Sequence, residues 1–161
     1  MTVTEYNISV DEFADRLFRF VVKSVKDEDT ANDIVQETYA RLWEKVSTVD
    51  YPKVRSYLFT AAYHLVVDHF RKGKRYEGID KININGHSHN EQYSDIKEIL
   101  NQALEQLPEI QKTVILLRDY EGYSYQDIAE ITNLTESQVK VYIYRGRMSL
   151  KEKIGSIETI V

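Results

Sequence analysis

Apolar residues recur along this chain at three- and four-residue steps, and no stretch keeps the two-residue alternation with turn dipeptides that marks a hairpin. The pattern predicts an all-α protein. Ser9 with Glu12 three residues on is a capping-box signature, and Phe13, Leu17, Phe20 and Val21 follow as one stripe, so a first helix is expected from Ser9 to about Val25. Asp27-Glu28-Asp29 leads to Thr30 as the cap of a second helix running to about Val46, with Ile34, Thr38, Leu42 and Val46 inward and Trp43 packed beside them. Pro52 suits the first turn of a third helix, where its missing N–H has no intrahelical partner to lose, and this helix is expected to reach about Lys72. Its middle is apolar on nearly every face, which puts it at the centre of a bundle or reserves one face for a partner.

From Gly73 to about Tyr93 the repeat is lost, with Gly73, Gly78 and Gly86 scattered among Asn, His, Ser and isolated charges. A patternless stretch of about twenty residues is too long for a connection inside one compact domain. The chain therefore reads as two small helical domains, 1–75 and 94–161, joined by a flexible linker at 76–93. Periodicity returns at Ser94, with Ile96, Ile99, Leu100, Ala103, Leu104 and Leu107 on one face, and Pro108 opens a helix containing Ile110, Val114 and Leu117. Beyond Gly122 come two capped units. Ser124 with Asp127 starts one from Tyr125 to Ile131, and Thr135 with Gln138 starts a last helix to about Lys153.

The stretch from Ser124 to Arg147 fits a helix-turn-helix: a short helix, a turn at Thr132-Asn133-Leu134, and a longer capped helix. Ala129 is small where the helices must approach, Asn133 tolerates a left-handed turn, and Ile128, Leu134, Val139 and Ile143 are suited to burial between them. With Val139, Ile143, Gly146 and Leu150 inward, Glu136, Ser137, Lys140, Val141 and Tyr144 face outward at the end of the helix that enters the major groove in this motif. Arg145, Arg147 and Lys151 follow where phosphates would lie. A plain α-hairpin in a helical bundle is the competing account of this segment.

Charge changes the picture more than composition does. The absence of cysteine excludes disulfide scaffolds, thiolate metal sites and cysteine nucleophiles. No basic segment followed by an apolar stretch opens the chain, and the longest uncharged apolar-rich run, 56–67, is too short to span a bilayer, so a cytoplasmic protein without membrane insertion is expected. A net charge of −5 argues against nucleic acid, whose phosphates attract Lys and Arg. The average hides an uneven distribution: residues 1–45 carry −4, 46–76 carry +4, 77–134 carry −7 and 135–161 carry +2. Two basic islands in an acidic chain point to separate partner surfaces, or else to ordinary solvated helix faces.

Three stretches together resemble a known family. Ala31-Asn32-Asp33-Ile34-Val35-Gln36-Glu37-Thr38-Tyr39-Ala40-Arg41-Leu42-Trp43, then Val54-Arg55-Ser56-Tyr57-Leu58-Phe59 through Val67-Asp68-His69-Phe70-Arg71-Lys72, then Leu107-Pro108-Glu109 through Tyr123–Ala129 to Val139–Arg147, are similar in order and spacing to regions 2.2, 2.3–2.4 and 4 of the extracytoplasmic-function sigma factors. Two positions depart from the family pattern: Asn133 stands where a Gly is usual at the turn, and His64 where many members carry Asn near a captured base.

The resemblance implies a non-catalytic subunit, with no cofactor or metal, that directs RNA polymerase to promoters. By this resemblance Asp33, Gln36 and Glu37, which share an arc by three- and four-residue steps, meet the β′ clamp helices of core RNA polymerase, and the C-terminal domain meets the β flap. The loop 47–53 corresponds to the loop that receives a flipped −10 base, with Tyr51, Lys53, Arg55, Tyr57 and His64 nearby and Phe59 left in the core. Arg71, Lys72, Lys74 and Arg75 fall to upstream phosphates. Glu136, Ser137, Lys140, Val141 and Tyr144 face the −35 element, with Arg145 and Arg147 on its phosphates. A membrane-linked anti-sigma factor is an expected partner. Two other classes remain open: a dimeric operator-binding regulator using only the last third of the chain, and a metal enzyme built on His64, Asp68 and His69 with His87 and His89.

Overall fold

Thr2, rather than Ser9, starts the first helix in the computed structural model, which describes residues 1–76 and 95–158. The Thr2 hydroxyl accepts from the Glu5 N–H at 3.0 Å, and the Glu5 carboxylate accepts from the Thr2 N–H at 2.8 Å, so the earlier of two possible capping boxes is the one used. Helix α1 spans Val3–Val25, and Ser9 lies buried inside it with its hydroxyl donating to the Tyr6 carbonyl. The added turns are held because the Tyr6 ring packs edge-on against Tyr39 and Trp43. Helix α2, Glu28–Glu44, is capped by Asp27 instead of Thr30: the Asp27 carboxylate accepts from both the N–H and the hydroxyl of Thr30, at 3.0 and 2.6 Å. This cap also leaves Glu28 and Asp29 in the first turn, beside the positive end of the helix. A 3₁₀ turn, Tyr51–Lys53, contains Pro52 and leads into α3, Val54–Tyr76, which continues through Gly73.

The C-terminal helices are α4, Asp95–Glu105; α5, Glu109–Ile115, which runs into a π-turn at Leu116–Tyr120; α6, Tyr125–Thr132; and α7, Glu136–Glu158. Every element among the described residues is helical. The region expected as a linker lies, from residue 77 to 94, outside the described residues, and with it Gly78, Gly86, His87 and His89.

Helices α1, α2 and α3 close around Leu17, Phe20, Leu42, Leu58 and Phe59, all at most 1% exposed. The second group closes around Leu117, Ile128, Val139 and Ile143, with α4 laid across α7 through Leu104 and Leu107. The two cores join. Phe59 of α3 meets Tyr123 at 5.3 Å between ring centres, and α3 packs along α6. Two expected inward residues turn outward: Trp43 is 49% exposed and Ile96 is 76% exposed. Val46 is half-buried, beyond the end of α2.

Gly146 sets the distance between α7 and α5. A Cβ at this position would run into the Ile115 side chain, which is itself buried, whereas a Cβ at Gly73 would meet nothing within 4 Å. Gly146→Val is therefore expected to destabilise the protein by about 1–3 kcal/mol through overpacking, while Gly73→Ala is neutral or stabilising by up to about 1 kcal/mol. Urea unfolding followed by far-UV circular dichroism checks both; equal midpoints for the two variants would contradict the close approach of α7 to α5.

Candidate nucleic-acid interface

Two local devices build the C-terminal surface. Asn133 adopts the left-handed conformation, φ 59° and ψ 39°, and ends α6 sharply. Thr135 and Gln138 then cap α7 reciprocally: the Thr135 N–H donates to the Gln138 side chain at 2.9 Å, and the Gln138 N–H donates to the Thr135 hydroxyl at 3.1 Å. Ile128, Val139 and Ile143 are buried between the two helices, so the opposite arc of α7 is left in solvent. That arc brings together Glu136, Ser137, Lys140, Val141, Tyr144 and Arg145, all exposed. Val141 and Tyr144 are 44% and 65% exposed, apolar surface left uncovered beside charged and hydroxyl groups.

A residue outside the expected set joins this face. The Arg118 guanidinium lies 4.3 Å from the centre of the Tyr125 ring, and Lys140 Nζ lies 5.5 Å from the same centre. Arg118 stands in the π-turn, eighteen residues before the start of α7, so no helical spacing links it to Lys140. Arg147 is differently placed from Arg145: its Nε and terminal nitrogen donate to the two Asp119 carboxylate oxygens at 3.1 and 2.5 Å. This bidentate pair commits the Arg147 fork within the protein.

The N-terminal surface forms on α2 and the start of α3. Asp33, Gln36 and Glu37 are exposed along one arc, and Glu37 lies 3.3 Å from Arg41. Trp43, seven residues after Gln36, extends this arc; its position two turns on was the available signal. Tyr57 and His64 come together with Arg41, Glu44, Lys45 and Thr60 around a cleft of about 440 Å³. Lys53 is exposed on the preceding turn, and the Tyr51 hydroxyl donates to Glu12 at 3.1 Å. Arg71, Lys72 and Lys74 are exposed on the last turns of α3, with Arg71 3.9 Å from Asp68. The Arg75 side chain lies outside the described residues. No group of three or more His, Asp or Glu residues suited to a metal ion occurs among the described residues, where Asp68 faces Arg71.

Arg55 is not with Tyr57 and His64. Its guanidinium stacks on the Tyr123 ring at 4.1 Å and donates to the Glu121 carbonyl at 2.7 Å, so it is held against the C-terminal helices. On the same side Lys112 is buried, with Nζ 3.4 Å from the Ser24 carbonyl of α1, beside a cleft of about 500 Å³ lined also by Lys26, Phe70, Lys74, Glu105 and Glu109. Burial pushes the Lys112 amine down to about 8, helped by Lys26 and opposed by Glu105 and Glu109.

Known proteins share this fold. A model of Sigma-70 region 2 matches residues 10–76, and one of Sigma-70, region 4 matches residues 97–150. The RNA polymerase sigma factor SigV of Bacillus subtilis is 34% identical over 132 residues, 80% of this chain and 78% of that protein. The ECF RNA polymerase sigma factor SigM of the same organism is 28% identical over 153 residues, 89% and 94% of the two chains. Among solved structures, the sigma factor RpoE in complex with the anti-sigma factor NepR from Bartonella quintana superposes with a TM-score of 0.81 at 25% identity, covering 95% of this chain and 98% of that one. CnrH in complex with the cytosolic domain of CnrY shares the fold, with a TM-score of 0.69 at 20% identity.

Because the Lys112 amine gives up its proton near 8 when folded and at its ordinary 10.5 when unfolded, the unfolded chain binds more protons between those values. This group therefore makes stability rise with pH from about 8 upward. The window closes near 10, where burial of the Tyr39 and Tyr123 hydroxyls, which raises both, makes the folded state the one that retains protons. Lys112→Met is expected to flatten the rise between pH 8 and 10 in urea unfolding; an undiminished slope would remove Lys112 as its source.

Proposed function

We propose, from the premise that this chain belongs to the extracytoplasmic-function subfamily of RNA polymerase sigma factors and directs promoter-specific transcription initiation, that its two exposed helical faces divide the task between polymerase and DNA. The observation that carries this division is the bare arc of α7: six side chains able to meet base edges or phosphates, opposite a face packed at Val139, Ile143 and Gly146.

On α7, Lys140 donates to guanine in the −35 element, Glu136 accepts from cytosine, Val141 touches a thymine methyl, and Ser137 and Tyr144 add contacts at the same groove. Arg145 meets phosphate; Arg147, already paired with Asp119, serves the backbone less directly. On α2, Asp33, Gln36 and Glu37 bind the β′ clamp helices of core polymerase, and half-exposed Trp43 enlarges that contact with the kind of side chain that dominates interfaces. The cleft between Tyr57 and His64, with Tyr51 and Lys53 on the turn above, receives an unpaired −10 base, and Arg55 joins them once it is released from Tyr123. Arg71, Lys72, Lys74 and Arg75 follow the upstream duplex.

The domain boundaries we propose are 1–75 for clamp and −10 contacts and 94–161 for −35 and β-flap contacts. The protein acts as a non-catalytic subunit in the cytoplasm, where its DNA and polymerase partners are; no helix among the described residues is long and apolar enough to cross a membrane. An anti-sigma factor is a further partner, supported by the likeness to the RpoE of the NepR complex, and the family resemblance implies that it is membrane-linked. An operator-binding dimer would use α5–α7 but leaves the region 2 match at 10–76 without a role.

Run-off transcription from promoter fragments with core polymerase should depend on added protein, and a core that initiates equally well without it would defeat the proposal. Asp33→Arg with Gln36→Ala should weaken co-purification with core polymerase while altering stability by no more than ~0.5 kcal/mol, since both side chains are exposed. Lys140→Ala should relax preference at one −35 position at a cost of about 1–3 kcal/mol there, whereas Arg145→Ala should weaken binding evenly across −35 variants. Identical profiles for these two would reverse the orientation given to α7.

A further inference from the structure

Lys112 is a buried cation to which neither the DNA contacts nor the polymerase contacts give a task. The residue is 7% exposed, and its Nζ donates to the Ser24 carbonyl over a long 3.4 Å. An ammonium carries three donors, and the others meet no acceptor among the described residues. No carboxylate among the described residues forms an ion pair with it. A buried charge held in this way is costly, which is why burial lowers the amine while Glu105 and Glu109 offset the effect only in part.

The amine opens on the cleft of about 500 Å³, a volume within the range of small-metabolite sites. Lys26 at the end of α1, Lys74 near the end of α3 and Lys112 on α5 give this cleft three ammonium groups, and Glu105 and Glu109 give it two carboxylates. Lys26 and Glu105 lie 3.8 Å apart with both side chains in solvent, where such a pair contributes little and yields readily to another partner.

These five groups select the chemistry of a ligand. Ammonium groups are point charges that accommodate the tetrahedral oxygens of a phosphate, whereas an arginine fork, which pairs a flat carboxylate through two parallel bonds, is not among the lining residues. A bare anion would still be repelled by Glu105 and Glu109. A molecule that carries hydroxyl groups beside its phosphate satisfies both sets, because each carboxylate accepts from O–H donors.

We propose that this cleft binds a small phosphorylated sugar, with the phosphate on Lys112, Lys74 and Lys26 and the sugar hydroxyls donating to Glu105 and Glu109. A free sugar phosphate and a nucleoside monophosphate share this chemistry. The phosphate supplies the buried ammonium with a counter-charge and so favours its protonated form. The site does not depend on the DNA and polymerase assignments, although Lys74 takes a role in both.

Isothermal titration calorimetry of the full-length protein with ribose 5-phosphate, AMP, inorganic phosphate and citrate, at matched ionic strength, tests the site. Ribose 5-phosphate or AMP should bind as one molecule per chain, and more tightly than inorganic phosphate. Whichever of the two binds more tightly identifies the source of the phosphorylated sugar, and either result supports the site. Lys112→Met should weaken that binding by about ten-fold or more, the loss of a hydrogen bond between charged groups. Far-UV circular dichroism reports whether this variant is folded; if it is not, Lys74→Gln at an exposed position decides, with a several-fold loss expected. Glu109→Ala should act with opposite signs, weakening ribose 5-phosphate and strengthening inorganic phosphate. From about pH 7 to pH 9 the wild-type affinity should fall about ten-fold as Lys112 loses its proton, and that of Lys112→Met should fall much less. Absence of binding, citrate bound as tightly as the sugar phosphates, affinity unchanged in folded Lys112→Met, or a Glu109→Ala effect of one sign on both phosphates would overturn the proposal. So would binding abolished by Lys140→Ala with Arg145→Ala, which would place the anion on α7.

Discussion

A helix that is apolar on nearly every face has to be covered on every side, and α3 imposes this demand on the whole molecule. From Val54 to Val67 only His64 is exposed. Helices α1 and α2 cover two sides through Leu17, Phe20 and Leu42, and a third side is met by Tyr123 and α6. Leaving that third side in water would expose Phe59, which is fully buried here, at a penalty of roughly 1.5–3 kcal/mol for the side chain alone. The hydrophobic requirement of one helix in the first group thus draws the second group onto it.

The covering is apolar where Phe59 meets Tyr123 and polar around that contact. Around Phe59 and Tyr123 the contact is made by Arg55, Glu121, Arg19 and Lys23, whose charges are well solvated once apart. The π-turn at Leu116–Tyr120 sits at the junction. It sends Arg118 and Asp119 toward Tyr125 and Arg147 on the helix-turn-helix, and Tyr120 with the following Glu121 toward α1. A π-turn adds a residue to the helical ring and so rotates successive side chains onto different faces, which lets five residues serve two surfaces.

What could be read from residues alone was whatever depends on neighbours within a few positions. The all-α class, the helix-turn-helix with Asn133 left-handed, the reciprocal Thr135–Gln138 cap and the bare arc of α7 all follow from spacing and capping chemistry, and all stand in the structure. Helix starts were less secure wherever two caps competed: Thr2 with Glu5 against Ser9 with Glu12, and Asp27 against Thr30. There the choice was settled by remote packing of Tyr6 on Tyr39 and Trp43, or by which oxygen accepted two bonds at once. Of the candidate DNA residues, those on one helical face stayed together, while Arg55 and Arg147 found partners far along the chain.

The sequence by itself determined which faces are apolar, where the turns fall and which side chains stand bare at the start of α7, because each of these is set by periodicity and by hydrogen bonds no more than four residues long. Only the tertiary structure decided that Glu121 is buried against Arg19, that Arg55 is stacked on Tyr123, that Lys112 lies under α1 and that Trp43 remains half in water. Those outcomes join residues about seventy to a hundred positions apart, or depend on whether a neighbouring helix arrives to cover a face. Such long-range choices are made by the requirement that α3 be covered and that each buried charge find a partner, and neither requirement leaves a period in the sequence.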